Sequence, residues 1–231
     1  LNRRPSGWPG RVSSTAVVDL PFACVPSLAD QLAGVMDMEG KIPRALEALG
    51  PLAGSTVAVL DTPGTPWLDR LRAGGAQPVV VTPPPEGDPL RIDAPDASLD
   101  GVVTLWTGFR GVEPADVAEV DRVLRPGGRL LVVHDYGRDD VSALRDPDAP
   151  EYHAWSRRDG PFLRDGGFRI RVVHCFWTFT TMEEARDALA RFGERGEAIS
   201  ARLKRPRLSW NVAVYHRWQG GVDPVVDAGA G

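Results

Sequence analysis

A chain of 231 residues with a formal net charge of −4 is long enough for one α/β domain with a sizeable core. It is too acidic for a general nucleic-acid binder, which needs a basic face. Hydrophobic content of 42% and charged content of 25% are ordinary for a soluble globular protein, and no apolar run has the length of a membrane span. No secretory leader pattern is seen, so a cytoplasmic location is expected; heavy use of Ala, Arg, Gly, Pro and Val reads as a GC-rich bacterial composition, and neither nucleic acid nor membrane is expected as a partner. Cys24 and Cys175 give no metal-ligand spacing and no disulfide framework, and are expected as buried free thiols.

Taken in chain order, residues 1–28 are rich in Pro, Ser, Gly and Arg and read as an irregular arm. One domain is expected over 29–219, and 220–231 (GGVDPVVDAGAG) reads as a disordered tail. Ile42, Ala45, Leu46 and Leu49 recur at helical spacing until Gly50 stops the helix. TVAVL at 56–60 is a short buried strand, and 66–73 suits a helix with Thr65 as its cap and Pro66 in the first turn. Strands follow at 79–81 and 101–106. Val117, Val120, Val123 and Leu124 form a helix stripe, and 130–133 is a strongly apolar strand. Residues 151–165 suit a helix, 168–179 a strand and 209–218 a final strand. Between those last two strands, Met182, Ala185, Leu189, Phe192, Ile199 and Leu203 mark one long helix, with a capping box at Thr180 and Glu183. The basic run Arg202, Lys204, Arg205 and Arg207 reads as a solvated helix end. Apolar strands alternating with helices imply a parallel sheet covered on both faces.

Two segments are more specific. Gly87-Asp88 is followed after six residues by Pro95-Asp96-Ala97-Ser98-Leu99-Asp100, and Arg122-Val-Leu-Arg-Pro-Gly-Gly-Arg129 leads into the strand at 130–133. On these residues the chain, over about 40–218, resembles the class I S-adenosylmethionine-dependent methyltransferases of the type 11 kind. The resemblance implies a Rossmann-like, seven-stranded, mostly parallel sheet with an antiparallel last strand, and S-adenosylmethionine as cofactor. It implies transfer of a methyl group to a small-molecule acceptor. The runner-up reading is a protein of this fold without methyl transfer, acting as a binding or assembly module. A nicotinamide dehydrogenase is disfavoured, because no G-x-G-x-x-G follows the first strand.

Carried over residue by residue, the resemblance gives a cofactor set of Asp61, Gly64, Thr65, Thr82, Asp88 and Trp106. Asp61 matches the acidic end of the first strand. The family's loop glycines fall on Pro63, Thr65 and Trp67, with Gly64 out of register. Pro63 and Pro66 carry no N–H to donate, and Trp67 fills space that the family keeps empty. The same stretch also reads as a plain turn built on Thr65 and Pro66. Thr82 or Pro83 stands where the family has a ribose-binding acid, and Asp88 where its acid meets the adenine amino group. Asp100 is expected to cap a strand entrance. At the strand ends, Trp106 is a candidate to stack on the cofactor, and Phe109, Arg110 and Tyr136 to line the acceptor site. His134 is the candidate catalytic base, with Asp135 orienting it.

Overall fold

The computed structural model describes residues 26–60, 66–84, 88–106, 113–145 and 155–221. In chain order these contain α1 (Pro26–Val35), α2 (Lys41–Leu49), β1 (Thr56–Leu60), α3 (Pro66–Ala73), β2 (Gln77–Val81) and β3 (Leu99–Leu105). There follow α4 (Pro114–Val123), β4 (Leu124–Asp135), β5 (Arg169–Thr178), α5 (Met182–Ala190), α6 (Gly193–Arg202) and β6 (Arg207–Trp218). The strands form one sheet in the order β2-β1-β3-β4-β6-β5. The pairs from β2 to β4 are parallel, and β6 runs antiparallel to both β4 and β5. The antiparallel last strand is as expected.

The sheet has six strands among the described residues, not seven. The physical reason lies between β2 and β3. A further parallel strand needs its own crossover of a dozen or more residues. The stretch from Asp88 to Ala94 is instead irregular and bonds to a helix. Asp116 Oδ1 accepts the Leu90 N–H at 2.8 Å, and Glu119 Oε1 accepts the Ile92 N–H at 2.8 Å. Backbone donors satisfied by α4 side chains have no need of a neighbouring strand.

The two motif segments hold each other. Arg122 donates to Asp96 at 2.7 Å, to the Ala94 carbonyl at 2.9 Å and to the Ile92 carbonyl at 3.0 Å, and pairs with Glu119. The N–H groups of Ala97 and Ser98 donate to the carbonyls of Arg122 and Val123. Asp100 accepts the Thr56 N–H at 2.9 Å, tying the entrance of β1 to β3 as expected. Helix α4 stops at Val123, and Leu124 already pairs with Leu99. The Arg-Pro-Gly-Gly stretch then forms a bulge in which Gly127 has φ 82°, a left-handed value that favours glycine.

Side chains of β1, β3, β4 and β6 alternate between two cores. Val57, Val59, Val103, Leu105, Leu131, Val133 and Trp210 face α1, α2, α3, α5 and α6. Ala58, Leu60, Val102, Leu130, Val132 and Tyr215 face α4 and the Phe162 turn. Helices therefore cover both faces.

Several expectations shift. Helix α1 begins at Pro26, inside the stretch read as the arm, and buries Leu28, Leu32 and Val35. The long helix after β5 is two helices, α5 and α6, broken where Gly193 takes φ 59°. The cap sits one residue later than expected: Thr181 Oγ1 accepts the Glu184 N–H at 3.1 Å, and Glu184 accepts the Thr180 N–H at 2.8 Å. Of the helix expected at 151–165, Trp155 is helical and Pro161–Asp165 form a separate turn, while 151–154 lie outside the described residues. Gln219–Gly221 form a short turn whose Gly220 N–H donates to Asp121, so the first residues of the expected tail are tied to the fold. Cys175 is a buried free thiol, and burial raises its pKa; Cys24 lies outside the described residues.

The Glu119–Arg122 pair gives a test of the motif's structural role. The hydrogen bond from Arg122 lowers the Glu119 pKa from 4.5 to about 2. A carboxylate depressed in the folded state adds stability above its ordinary pKa and loses it as pH falls towards the folded value. Glu119→Ala should therefore cost roughly 1–3 kcal/mol at neutral pH, the range for removing a partner of a buried hydrogen bond. In urea titrations the gap from wild type should narrow as pH is lowered from 4.5 towards about 2.

Candidate functional site

In an open parallel sheet, ligands bind outside the carboxyl ends of the strands, where the strand order reverses. Here the chain goes from β1 outward to β2 and then back across to β3, so the reversal lies between the ends of β1 and β3. The crevice is bounded by Leu60, by Trp106 just past β3, and by α3.

Tryptophan side chains meet in that crevice. The Trp106 ring lies 5.1 Å from Trp67 of α3 and 5.3 Å from Trp210 of β6, and the Trp67 and Trp210 rings are 6.4 Å apart. Trp177 of β5 meets Trp210 edge-on at 6.2 Å. Trp67 and Trp210 are buried, while Trp106 is half-buried. Trp106 has φ 51°, a left-handed conformation costing a non-glycine residue about 1–3 kcal/mol.

Asp135, at the end of β4, anchors this cluster. Its Oδ1 accepts the indole N–H of Trp106 at 3.0 Å and that of Trp210 at 3.0 Å. Its Oδ2 is ion-paired with Arg145. Arg145 is tied in turn to α6, because its carbonyl accepts from Arg195 at 2.9 Å. The carboxylate is 1% exposed, so these partners offset the cost of burying its charge.

Asp135 and His134 do not work as a pair. Successive strand residues point to opposite faces. Asp135 faces the tryptophans, and His134 faces the other core, with Trp155 at 4.8 Å and Phe162 at 6.3 Å. The expected orienting role of Asp135 is therefore corrected. His134 itself is 4% exposed, beneath Trp155 rather than at an open rim. Tyr136 is half-buried on the His134 side, with Arg138 over its ring at 5.9 Å. Thr82 and Asp88 are exposed beyond β2. Asp61, Gly64, Thr65, Phe109 and Arg110 lie outside the described residues.

Sequence reasoning placed Trp106 at the site but not Trp210 or Arg145. Trp210 reads as one more inward position of an apolar strand, and Arg145 has no local pattern around it. Two cavities lie elsewhere. One of about 220 Å³ at the amino end of the strands is lined by Gly50, Asp100, Arg129 and Trp218. The other, of about 290 Å³, lies among Lys41, Arg44, Arg171 and His174.

The mixed six-stranded sheet, with its antiparallel last strand, is an α/β Rossmann-like fold. No protein-family model matches the chain. It is 33% identical over 138 residues to a ubiquinone/menaquinone biosynthesis C-methyltransferase, UbiE, of Paraburkholderia phymatum, covering 57% of this chain and 52% of that protein. It is 34% identical over 136 residues to the UbiE of Paraburkholderia phytofirmans, covering 56% and 51%. The chain thus spans about half the length of these curated relatives. Among solved structures, a protein of Anabaena variabilis with a methyltransferase designation superposes with a TM-score of 0.48 at 14% identity, over 80% of this chain and 98% of that one. The chain is thus similar in sequence, over part of their length, to proteins named as C-methyltransferases.

That relationship implies S-adenosylmethionine as the cofactor. The described residues do not fit its methionine-bearing half: three indole rings fill the crevice, and the one carboxylate there is committed to Trp106, Trp210 and Arg145. At the nucleoside side, Thr82 and Asp88 stand exposed.

Asp135→Ala should leave Arg145 and two indole N–H groups without their acceptor. A loss of about 3–5 kcal/mol is expected, the range for breaking a buried ion pair by removing one partner. Asp88→Ala, at an exposed position, should leave the denaturation midpoint unchanged. Chemical denaturation of the two variants beside wild type checks both.

Proposed function

We propose that the chain transfers a methyl group from S-adenosylmethionine to a small-molecule acceptor, with the carboxyl end of the sheet as its site. The observation that carries this reading is the sequence shared with two C-methyltransferases over more than half of the chain. In the proposal Asp61, Gly64, Thr65, Thr82 and Asp88 form the cofactor set, and Trp106 stands at its methyl-donor end. Phe109, Arg110 and Tyr136 line the acceptor side, and His134 takes the acceptor proton. A second reading, a binding or assembly module without methyl transfer, is favoured by one observation: the tryptophan packing at the switch point.

Calorimetric titration of the full chain with S-adenosylmethionine and S-adenosylhomocysteine tests the first step. Thr82 in place of an acid, and Pro63 and Pro66 in place of N–H donors, remove contacts each worth about 1–3 kcal/mol. Binding weaker than about micromolar is therefore expected. Asp88→Ala should weaken it by a further 1–3 kcal/mol or so. Sub-micromolar binding, or copurified cofactor, would contradict the estimate. Unchanged affinity in Asp88→Ala would remove that residue from the site.

A screen with labelled cofactor should begin with quinol and phenol acceptors, since both relatives are named for quinone biosynthesis. His134→Ala should lower transfer by about 10²–10⁴ while leaving cofactor affinity unchanged, the usual loss for a general base. Full activity in the variant would exclude His134. A wild type silent across the screen would favour the non-catalytic reading.

A further inference from the structure

Trp106 is not an ordinary core residue. Its N–H still donates to the Val133 carbonyl at 3.0 Å, so its backbone remains attached to β4. Its φ of 51° then accompanies a side chain that reaches across the end of β4 to stack on Trp210. It is the half-buried member of the cluster, the other two rings being buried. It also occupies the topological switch point, where a ligand of this kind of sheet must enter.

We propose that Trp106 is an intramolecular plug of the methyl-donor site: its ring holds the place of the sulfonium-bearing arm, and the donor binds only when that ring is displaced. The inference rests on the reading that S-adenosylmethionine binds at the switch point. Three features of the surroundings support it. The Asp135 carboxylate keeps Trp210 and Arg145 when Trp106 is removed, so displacing the ring does not strip that buried charge of its partners. The left-handed backbone is strained with a tryptophan in place and relaxed with glycine. The space the ring would vacate is walled by the faces of Trp67 and Trp210 beside the Asp135 carboxylate. Aromatic faces suit a cationic ligand. The vacated site should therefore prefer the sulfonium of S-adenosylmethionine to the neutral thioether of S-adenosylhomocysteine.

The test is calorimetric titration of the full chain with both compounds, on wild type, Trp106→Gly and Trp218→Ala. Trp218 stacks with Arg129 and lines the cavity at the opposite end of the strands, so its variant controls for loss of a tryptophan elsewhere. Trp106→Gly should bind S-adenosylmethionine at least tenfold more tightly than wild type and favour it over S-adenosylhomocysteine, with Trp218→Ala unchanged. A cooperatively melting Trp106→Gly whose affinity is unchanged or weaker overturns the plug. If wild type binds below micromolar and the variant does no better, the binding reading stands and the plug falls. If neither binds either compound, both fall. Should Trp106→Gly melt without cooperativity, Trp106→Ala replaces it, which also removes the ring while keeping a side chain at this position. Tighter binding than wild type then supports the plug, and unchanged binding overturns it.

Discussion

A single buried carboxylate organises the carboxyl end of the sheet. Asp135 closes β4, at the centre of the sheet, and gathers two indole N–H groups and a guanidinium on one side of it. A charge so buried is tolerable only with its partners in place. That requirement fixes Trp106 across the end of β3, Trp210 on β6 and Arg145 in the segment after β4. Through the Arg145 carbonyl it reaches Arg195 of α6. The same strand geometry turns His134 to the other face, beneath Trp155. The two groups that sequence alone suggests as a catalytic pair are separated by the sheet itself.

The far side of the sheet rests on a different interaction. Arg122 collects Glu119, Asp96 and two carbonyls of the 92–94 segment, so the Pro95–Asp100 turn and the end of α4 form one unit. The stretches that most resemble the methyltransferases are thus partners in holding β3 and β4 in register. Their match speaks for the fold. The arrangement at the strand ends is set elsewhere, by the tryptophans and Asp135.

What the sequence made legible follows from where the signal is local. The six strands each carry an apolar run, and all six were readable from residues alone. The seventh came from the resemblance, and it is absent among the described residues because the backbone donors of Leu90 and Ile92 go to α4 carboxylates. Helix α1 was hidden because its apolar spacing begins within a Pro-rich stretch. The capping box moved by one residue because Thr180 and Thr181 are followed by Glu183 and Glu184, and either register satisfies the spacing. Trp210 and Arg145 could not be found, since the Asp135 site joins residues 10 and 75 positions from its carboxylate across the fold.

The central claim is that Asp135 holds the indoles of both Trp106 and Trp210, closing the switch point. Hydrogen exchange of the indole N–H groups, followed by nuclear magnetic resonance on the 15N-labelled chain, tests it most directly. The chain has seven tryptophans, so each indole signal can be assigned by single substitution. The account predicts that Trp106, although half-buried, exchanges slowly together with Trp210, and that both shift when S-adenosylmethionine is added in excess. A Trp106 indole exchanging at the rate of an exposed side chain while Trp210 stays protected would contradict it.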